Sequence, residues 1–184
     1  MLLQSLCILW LLLVESWCSL PKNYKVRLES FNFLANSNSP VATTNIRLLG
    51  RERALNGTIT ILEDLDNEHF DLSADAYIDP TGGGDYKQIP FTIPKLPVCE
   101  IFKNYIQRYG GATLKYNVNT DFPFDGSKCP IPTGTYYFKN VLINTDGWPQ
   151  IMPIGILKGV GSIYKDNEII GTLNTILIIE SIGL

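Results

Sequence analysis

The chain has 184 residues, a formal net charge of −3 and a pI near 5.1, and 45% of its residues are hydrophobic. Lysine and arginine do not cluster, which excludes a nucleic-acid surface, and the apolar content excludes a disordered chain. The length suits a signal segment followed by one domain, which we assign to residues 19–184.

Residues 1–18 have the features of a secretory signal peptide. The apolar run 6–14 is shorter than the ~20 residues that a membrane span needs, and a polar Glu15 follows it. Ser16 and Cys18 are small residues at the positions that a signal peptidase favours, so we expect cleavage after Cys18. The sequence therefore predicts a secreted, extracellular protein with no transmembrane span. A buried N-terminal strand or an anchor helix is the less favoured alternative.

Cleavage would leave two cysteines, Cys99 and Cys129. In an oxidising compartment an isolated pair is most simply one disulfide, whereas two free buried thiols are the alternative. The sequon Asn56-Gly57-Thr58 predicts N-glycosylation at Asn56. Asn-Gly is also typical of a turn, so both interpretations place Asn56 at the surface.

Most of the chain has strand character. The segment 24–34 is rich in β-forming residues, and its apolar side changes near Ser30, which indicates a bulge. A second strand is predicted over 58–65, and the alternation over 70–79 predicts a strand with one buried and one wet face. Residues 86–93 are predicted to form an edge strand because Pro90 cannot donate to a neighbouring strand.

One segment has helical periodicity instead. Apolar residues recur at helical spacing over 98–109, and Gly110-Gly111 ends the pattern, so we predict one amphipathic helix. The apolar positions are Val98, Ile101, Phe102, Tyr105, Ile106 and Tyr109.

Three further strands are predicted over 135–144, 154–164 and 168–180, with a hairpin turn at 165–167. The fold class is therefore mainly β, an immunoglobulin-like β-sandwich or β-cup of about seven to eight antiparallel strands with one helix.

The sequence contains few residues or motifs that could catalyse a reaction. The chain has one histidine, His69, and no nucleophile elbow; one histidine and two cysteines do not make a zinc site. Gly82-Gly83-Gly84 lies among acidic residues and indicates a loop tip rather than a phosphate cradle. The acidic stretch 63–85 does not match a calcium loop, because a loop that starts at Asp64 would need Gly at its sixth position and Glu at its twelfth, where the chain has His69 and Asp75. The strand period also places the aspartates at 71, 75 and 79 on the solvent-facing side of a strand. We therefore expect no enzyme, no metal and no cofactor.

The second half carries an ordered set of features: Cys99 opening a helix, then Cys129-Pro130, Gly134-Thr135-Tyr136-Tyr137, and Pro153-Ile154-Gly155. Over roughly residues 85–170 this order resembles an insect family of secreted proteins with a domain of unknown function, DUF1091, to which the CheB chemosensory-type proteins are related. That family is distantly similar to the ganglioside-activator and ML lipid-recognition proteins. The resemblance implies a β-cup that holds an acyl chain or glycolipid, with the disulfide fixing the helix over one mouth.

Two functions follow as expectations. The first is a binding protein for a small apolar ligand or lipid, such as a fatty acid, a glycolipid or a hydrocarbon pheromone, and a chemosensory role is implied by the resemblance. The second is an interaction module with a filled core that meets an extracellular receptor through the acidic stretch 63–85. For the first function, the candidate ligand-binding residues are Phe31, Phe33, Phe102, Tyr105, Ile106, Tyr109 and Phe138.

Overall fold

The computed structural model describes residues 22–183, so the predicted signal peptide and its cleavage site lie outside the described residues. The described part forms eight strands and one helix. In chain order these are β1 (Tyr24–Ala35), β2 (Val41–Leu49), β3 (Ala54–Ile61), β4 (Phe70–Asp79), β5 (Lys87–Pro97), α1 (Val98–Gly110), β6 (Gly134–Val141), β7 (Gly155–Lys165) and β8 (Glu168–Ser181).

The strands make two antiparallel sheets. One has five strands in the order β1-β8-β7-β4-β5, and the other has three in the order β2-β3-β6. The mainly β prediction with one helix is thus confirmed, and β5 is an edge strand, as its prolines require. β7 and β8 form the predicted hairpin, in which Asp166 and Asn167 have φ of 49° and 72°. Two consecutive positive φ values fit the tight turn that matches the twist of a hairpin.

The predicted bulge in β1 lies where expected. The pairing of β1 with β8 shifts between Leu28 and Ser30. One extra residue at this point reverses the alternation of side chains, so Leu28 before it and Phe31 and Phe33 after it share one face. That shared face points toward the second sheet.

β4 has the predicted buried face, but Asp79 does not lie on a wet face. Asp79 is 1% exposed, because the following turn folds back over its carboxylate. The carboxylate accepts hydrogen bonds from the N–H groups of Thr81 at 3.1 Å, Gly82 at 2.9 Å and Gly84 at 2.6 Å. The glycine-rich segment is therefore a turn built around one acidic side chain.

The second sheet differs most from the prediction. β2 was not predicted, since a pairing shift between Thr44 and Arg47 breaks its alternation and Asn45 has a φ of 54°. β3 begins and ends earlier than the predicted 58–65 strand.

The predicted turn at Asn56-Gly57 is also wrong, because both residues lie inside β3. A Cβ at Gly57 would lie 2.8 Å from the Ile46 Cα, so glycine here permits a close approach of β2 rather than a turn. Asn56 is half-buried and its Oδ1 accepts the N–H of Asn140 at 3.1 Å. Its glycosylation stays a prediction.

The helix begins after Pro97 and ends at Gly110, close to the predicted bounds. Only its first turn is α-helical; Phe102–Gly110 is π-helical, with hydrogen bonds one residue longer. The Asn67 side chain accepts the N–H of Cys99 at 2.9 Å, which satisfies one of the unpaired donors at the helix start. The predicted disulfide joins Cys99 to Cys129, with their Cα atoms 6.0 Å apart.

Candidate functional site

A cavity of about 320 Å³ lies between the two sheets. All eight strands, α1 and the connection from α1 to β6 contribute to its walls. The lining is apolar apart from the hydroxyl-bearing residues Thr43, Ser73 and Ser162, and no charged side chain takes part. A space of this kind excludes water and favours hydrocarbon over any charged group.

Small residues in the middle of the five-stranded sheet leave the space for this cavity. Ala74 of β4 pairs with Gly161 of β7, and Gly161 pairs with Leu173 of β8, so these three share the inner face. A Cβ at Gly161 would lie 3.7 Å from the Leu173 Cβ and 3.8 Å from the Ser73 carbonyl oxygen, which are ordinary contacts. A larger side chain could therefore be accommodated at Gly161, and it would extend into the cavity.

Aromatic rings build the opposite wall. Phe102 of α1 lies edge-on to Phe122 and Phe124, with ring centroids 5.7 Å away in both cases. Phe124 in turn lies 5.9 Å from Phe138 of β6. Aromatic pairs of this geometry stabilise a protein beyond the effect of burying the rings, so both ring–ring interactions and hydrophobic burial stabilise this wall.

Five of the seven predicted ligand-binding residues line this cavity. They are Phe31, Phe33, Phe102, Ile106 and Phe138.

The other two, Tyr105 and Tyr109, do not line it. The π-helical turns hold more residues than α-helical ones, so of the positions chosen at α-helical spacing beyond Phe102 only Ile106 stays on the cavity side. Tyr109 is 39% exposed, and its carbonyl oxygen accepts the Trp148 Nε1–H at 2.7 Å.

Several residues that line the cavity are not among the predicted ones. Phe122 and Phe124 lie in the connection between α1 and β6, where no regular element was predicted. Their signal is the Phe-Pro-Phe triplet, because two large aromatic residues in a loop require burial somewhere. Ala74 and Gly161 were not predicted because they contribute to the cavity by being small, and a small residue in a strand gives no sequence signal of a binding site.

Two bonds hold the connection against the cavity. The disulfide fixes its end to the first turn of α1, and the Tyr136 hydroxyl donates to the Pro132 carbonyl oxygen at 2.7 Å. Burial, with the nearby Asp121 and Asp64 carboxylates, raises the pKa of Tyr136. Its neighbour Tyr137 is 37% exposed.

Part of the chain matches a known family. Residues 70–158 match the family described as "Protein of unknown function (DUF1091)". The DUF1091 match begins at β4, includes α1, the disulfide and β6, and ends inside β7. It supports the DUF1091 part of the resemblance. No curated protein matches the chain.

Ionisable groups in and near the DUF1091 stretch lie away from the cavity. His69 Nδ1 lies 3.0 Å from Asp66 Oδ2 on an exposed turn, and the Asp66 side chain raises the pKa of His69. Acidic residues of the stretch 63–85 pair with lysines of the five-stranded sheet: Glu63 with Lys165 of β7 at 2.7 Å, and Asp71 with Lys95 of β5 at 3.4 Å. Within residues 22–183 no three His, Cys, Asp or Glu side chains converge as metal ligands. None of the helices in this described range is long and apolar enough to span a membrane.

Proposed function

We propose that this chain is a secreted binding protein for a small apolar ligand or lipid, and that it binds without catalysing a reaction. The observation that carries the proposal is the cavity between the sheets, which is about 320 Å³ in volume and lined by no charged side chain. Ligand pockets in proteins are apolar spaces of roughly 300–1,000 Å³, so the cavity falls at the small end of that class.

The volume sets the size of the ligand. At roughly 30 Å³ for each group the size of a water molecule, the cavity would hold about ten methylene-sized groups. One medium-length acyl or hydrocarbon chain has that size. A carboxylate or headgroup would stay outside the apolar lining, because burying an unpaired charge there costs several kcal/mol or more. Fatty acids, glycolipids and hydrocarbon pheromones share such a chain.

The resemblance described above agrees with this proposal. The ganglioside-activator and ML proteins hold lipids in β-cups, and the CheB-type relatives suggest an insect chemosensory context. The alternative, an interaction module with a filled core, is less well supported. Its proposed acidic surface contains carboxylates that pair with Lys165 and Lys95, and the interior contains open volume.

The test is to express the chain in a secretory host, purify it without detergent, and record its mass under native conditions before and after organic extraction. We expect a lipid of near-stoichiometric amount to accompany the protein, or a fluorescent fatty acid to bind to protein from which lipid was extracted. Bare protein that also takes up no fluorescent fatty acid would refute the carrier proposal. Retention of the intact chain in the cell would refute the proposed secretion alone.

A further inference from the structure

A second concavity lies outside the apolar cavity, between β1 and the chain around Lys115 and Lys139. It encloses about 770 Å³, and residues from 24–26, 112–119 and 139–145 line it. We call it the basic groove and define it by Lys25, Lys115, Asn119, Lys139, Asn140 and Asn144.

The groove is positive although the chain as a whole carries a net charge of −3. Three lysines line it, and no Asp or Glu of residues 22–183 does. Lys25 lies 2.9 Å from Glu180, but Lys115 and Lys139 have no carboxylate within 4.0 Å in the described part of the chain. A further ammonium group stands at one end, where Lys22 Nζ donates to the Thr145 carbonyl oxygen.

Asn119 links the backbone at Lys115 to the backbone at Lys139. Its Oδ1 accepts the N–H of Lys115 at 2.8 Å, and its carbonyl oxygen accepts the N–H of Lys139 at 2.8 Å. Its Nδ2 donates to the Thr113 carbonyl oxygen at 2.8 Å, which fixes the amide itself. The two lysine side chains therefore start from linked backbone segments and both line the groove, so one anion in the groove could attract both ammonium groups.

We propose that the basic groove binds an anionic, hydroxyl-bearing ligand, namely a sugar that carries a phosphate, sulfate or carboxylate. The ammonium groups of Lys115 and Lys139 neutralise the anion, since charge-assisted hydrogen bonds to an oxyanion are the strong ones. The side chains of Asn140 and Asn144 offer amide groups to hydroxyls, and the volume leaves space for a sugar ring beside the anion. A free sugar and the headgroup of a lipid present this same chemistry.

The groove and the cavity are separate sites on the two sides of one wall. Leu114 and Phe138 line the cavity, whereas their chain neighbours Lys115 and Lys139 line the groove. The proposal on the groove therefore stands without a ligand in the cavity.

The test follows backbone amide shifts by NMR in the full secreted chain during titration with glucose 6-phosphate. Phosphatidylcholine vesicles with and without phosphatidylinositol, whose headgroup is a hydroxylated ring on a phosphate, serve as the membrane probe in a sedimentation assay. The variant is Lys115→Gln/Lys139→Gln. The matched control is Lys103→Gln/Lys128→Gln, which removes the same charge from two exposed lysines that do not line the groove.

We expect glucose 6-phosphate to shift the amides of Lys115, Asn119 and Lys139. The groove variant should bind it roughly tenfold more weakly or worse, while the control binds it as the wild type does. Binding only to phosphatidylinositol vesicles, with the same dependence on Lys115 and Lys139, would also support the proposal and assign the hydroxyl-bearing anion to a lipid headgroup. No binding to either probe, or equal loss in the groove and control variants, would overturn it.

Discussion

Leucine in place of Gly161 would put four carbon atoms into the cavity between the sheets. The backbone at Gly161 does not have a positive φ, and a Cβ there makes only ordinary contacts, so the strand should tolerate the change. Because each methylene contributes about 0.8 kcal/mol when buried, every carbon of a bound chain tightens binding about fourfold until the cavity is full. For the wild type this series should level off near about ten carbons.

The leucine variant should level off about four carbons earlier. A chain that fills the wild-type cavity would lose about 3 kcal/mol, which corresponds to a roughly 200-fold higher Kd. Gly161→Ala adds one carbon and should raise the Kd about fourfold. The assay displaces a fluorescent fatty acid with saturated acids from hexanoate to palmitate.

Gly183→Leu is the matched control, because a Cβ at Gly183 would meet no atom within 4 Å and lies near the end of the chain. It adds the same four carbons outside the cavity and should leave the whole series unchanged. If Gly161→Leu folds with an unchanged chain-length dependence, the ligand does not occupy the cavity and the assignment of the site is wrong.

Three further predictions concern the parts around the cavity. Cys99→Ser/Cys129→Ser opens a loop with a sequence separation of 30 residues; loop entropy predicts a loss of about 3.6 kcal/mol and a Tm lower by about 10 °C, and an unchanged calorimetric Tm would contradict this. The His69 imidazole, the only one in the chain, should titrate by NMR with a pKa above the usual value, and Asp66→Asn should lower that pKa. The ion pair of His69 with Asp66 therefore stabilises the fold below the unfolded-state pKa of the histidine, and this stabilisation is lost as pH rises through the folded-state pKa. Backbone N–H groups of the turn, that of Gly84 above all, lower the pKa of Asp79, so the stabilisation from its carboxylate is present above the unfolded-state pKa and is lost as pH falls through the folded-state pKa. Asp79→Asn should therefore lower the Tm at neutral pH and make the Tm depend less on acid pH. A Tm of the variant that changes with pH in parallel with the wild type would refute this role.

The sequence predicts the first sheet well and the second sheet poorly, for a physical reason. β4 shows an uninterrupted alternation, and β1 shows a single break that the side chains at Leu28 and Phe31 make visible. β2 and β3 both carry irregularities, at Asn45 and at Gly57, which disturb the period of two on which strand prediction depends. Asn-Gly favours a turn locally, but pairing on both sides of β3 overrides that preference.

Of the residues that line the candidate site, only those with large side chains can be predicted from the sequence. Phe31, Phe33 and Phe138 are found because an aromatic residue on a strand must be buried, and the strand period shows on which side. Tyr105 and Tyr109 are misplaced because the apolar spacing of the segment predicts an α-helix, whereas its π-helical turns hold more residues and direct other positions toward the cavity. The cavity itself has no sequence signal beyond the small residues Ala74 and Gly161, and small residues of this kind are also found in cores that have no cavity.

A hollow interior of this size has consequences for stability. Cavities made by mutation destabilise proteins by about 24 cal/mol for each Å³, so an empty space of about 320 Å³ would cost about 8 kcal/mol. That cost is comparable to the whole net stability of a typical domain, roughly 5–15 kcal/mol. An apolar chain in the cavity would restore the lost contacts, since it supplies partner atoms to every wall at once. If the chain is the proposed carrier, the disulfide and the aromatic wall would hold the helix and the connection in place while the cavity exchanges a ligand.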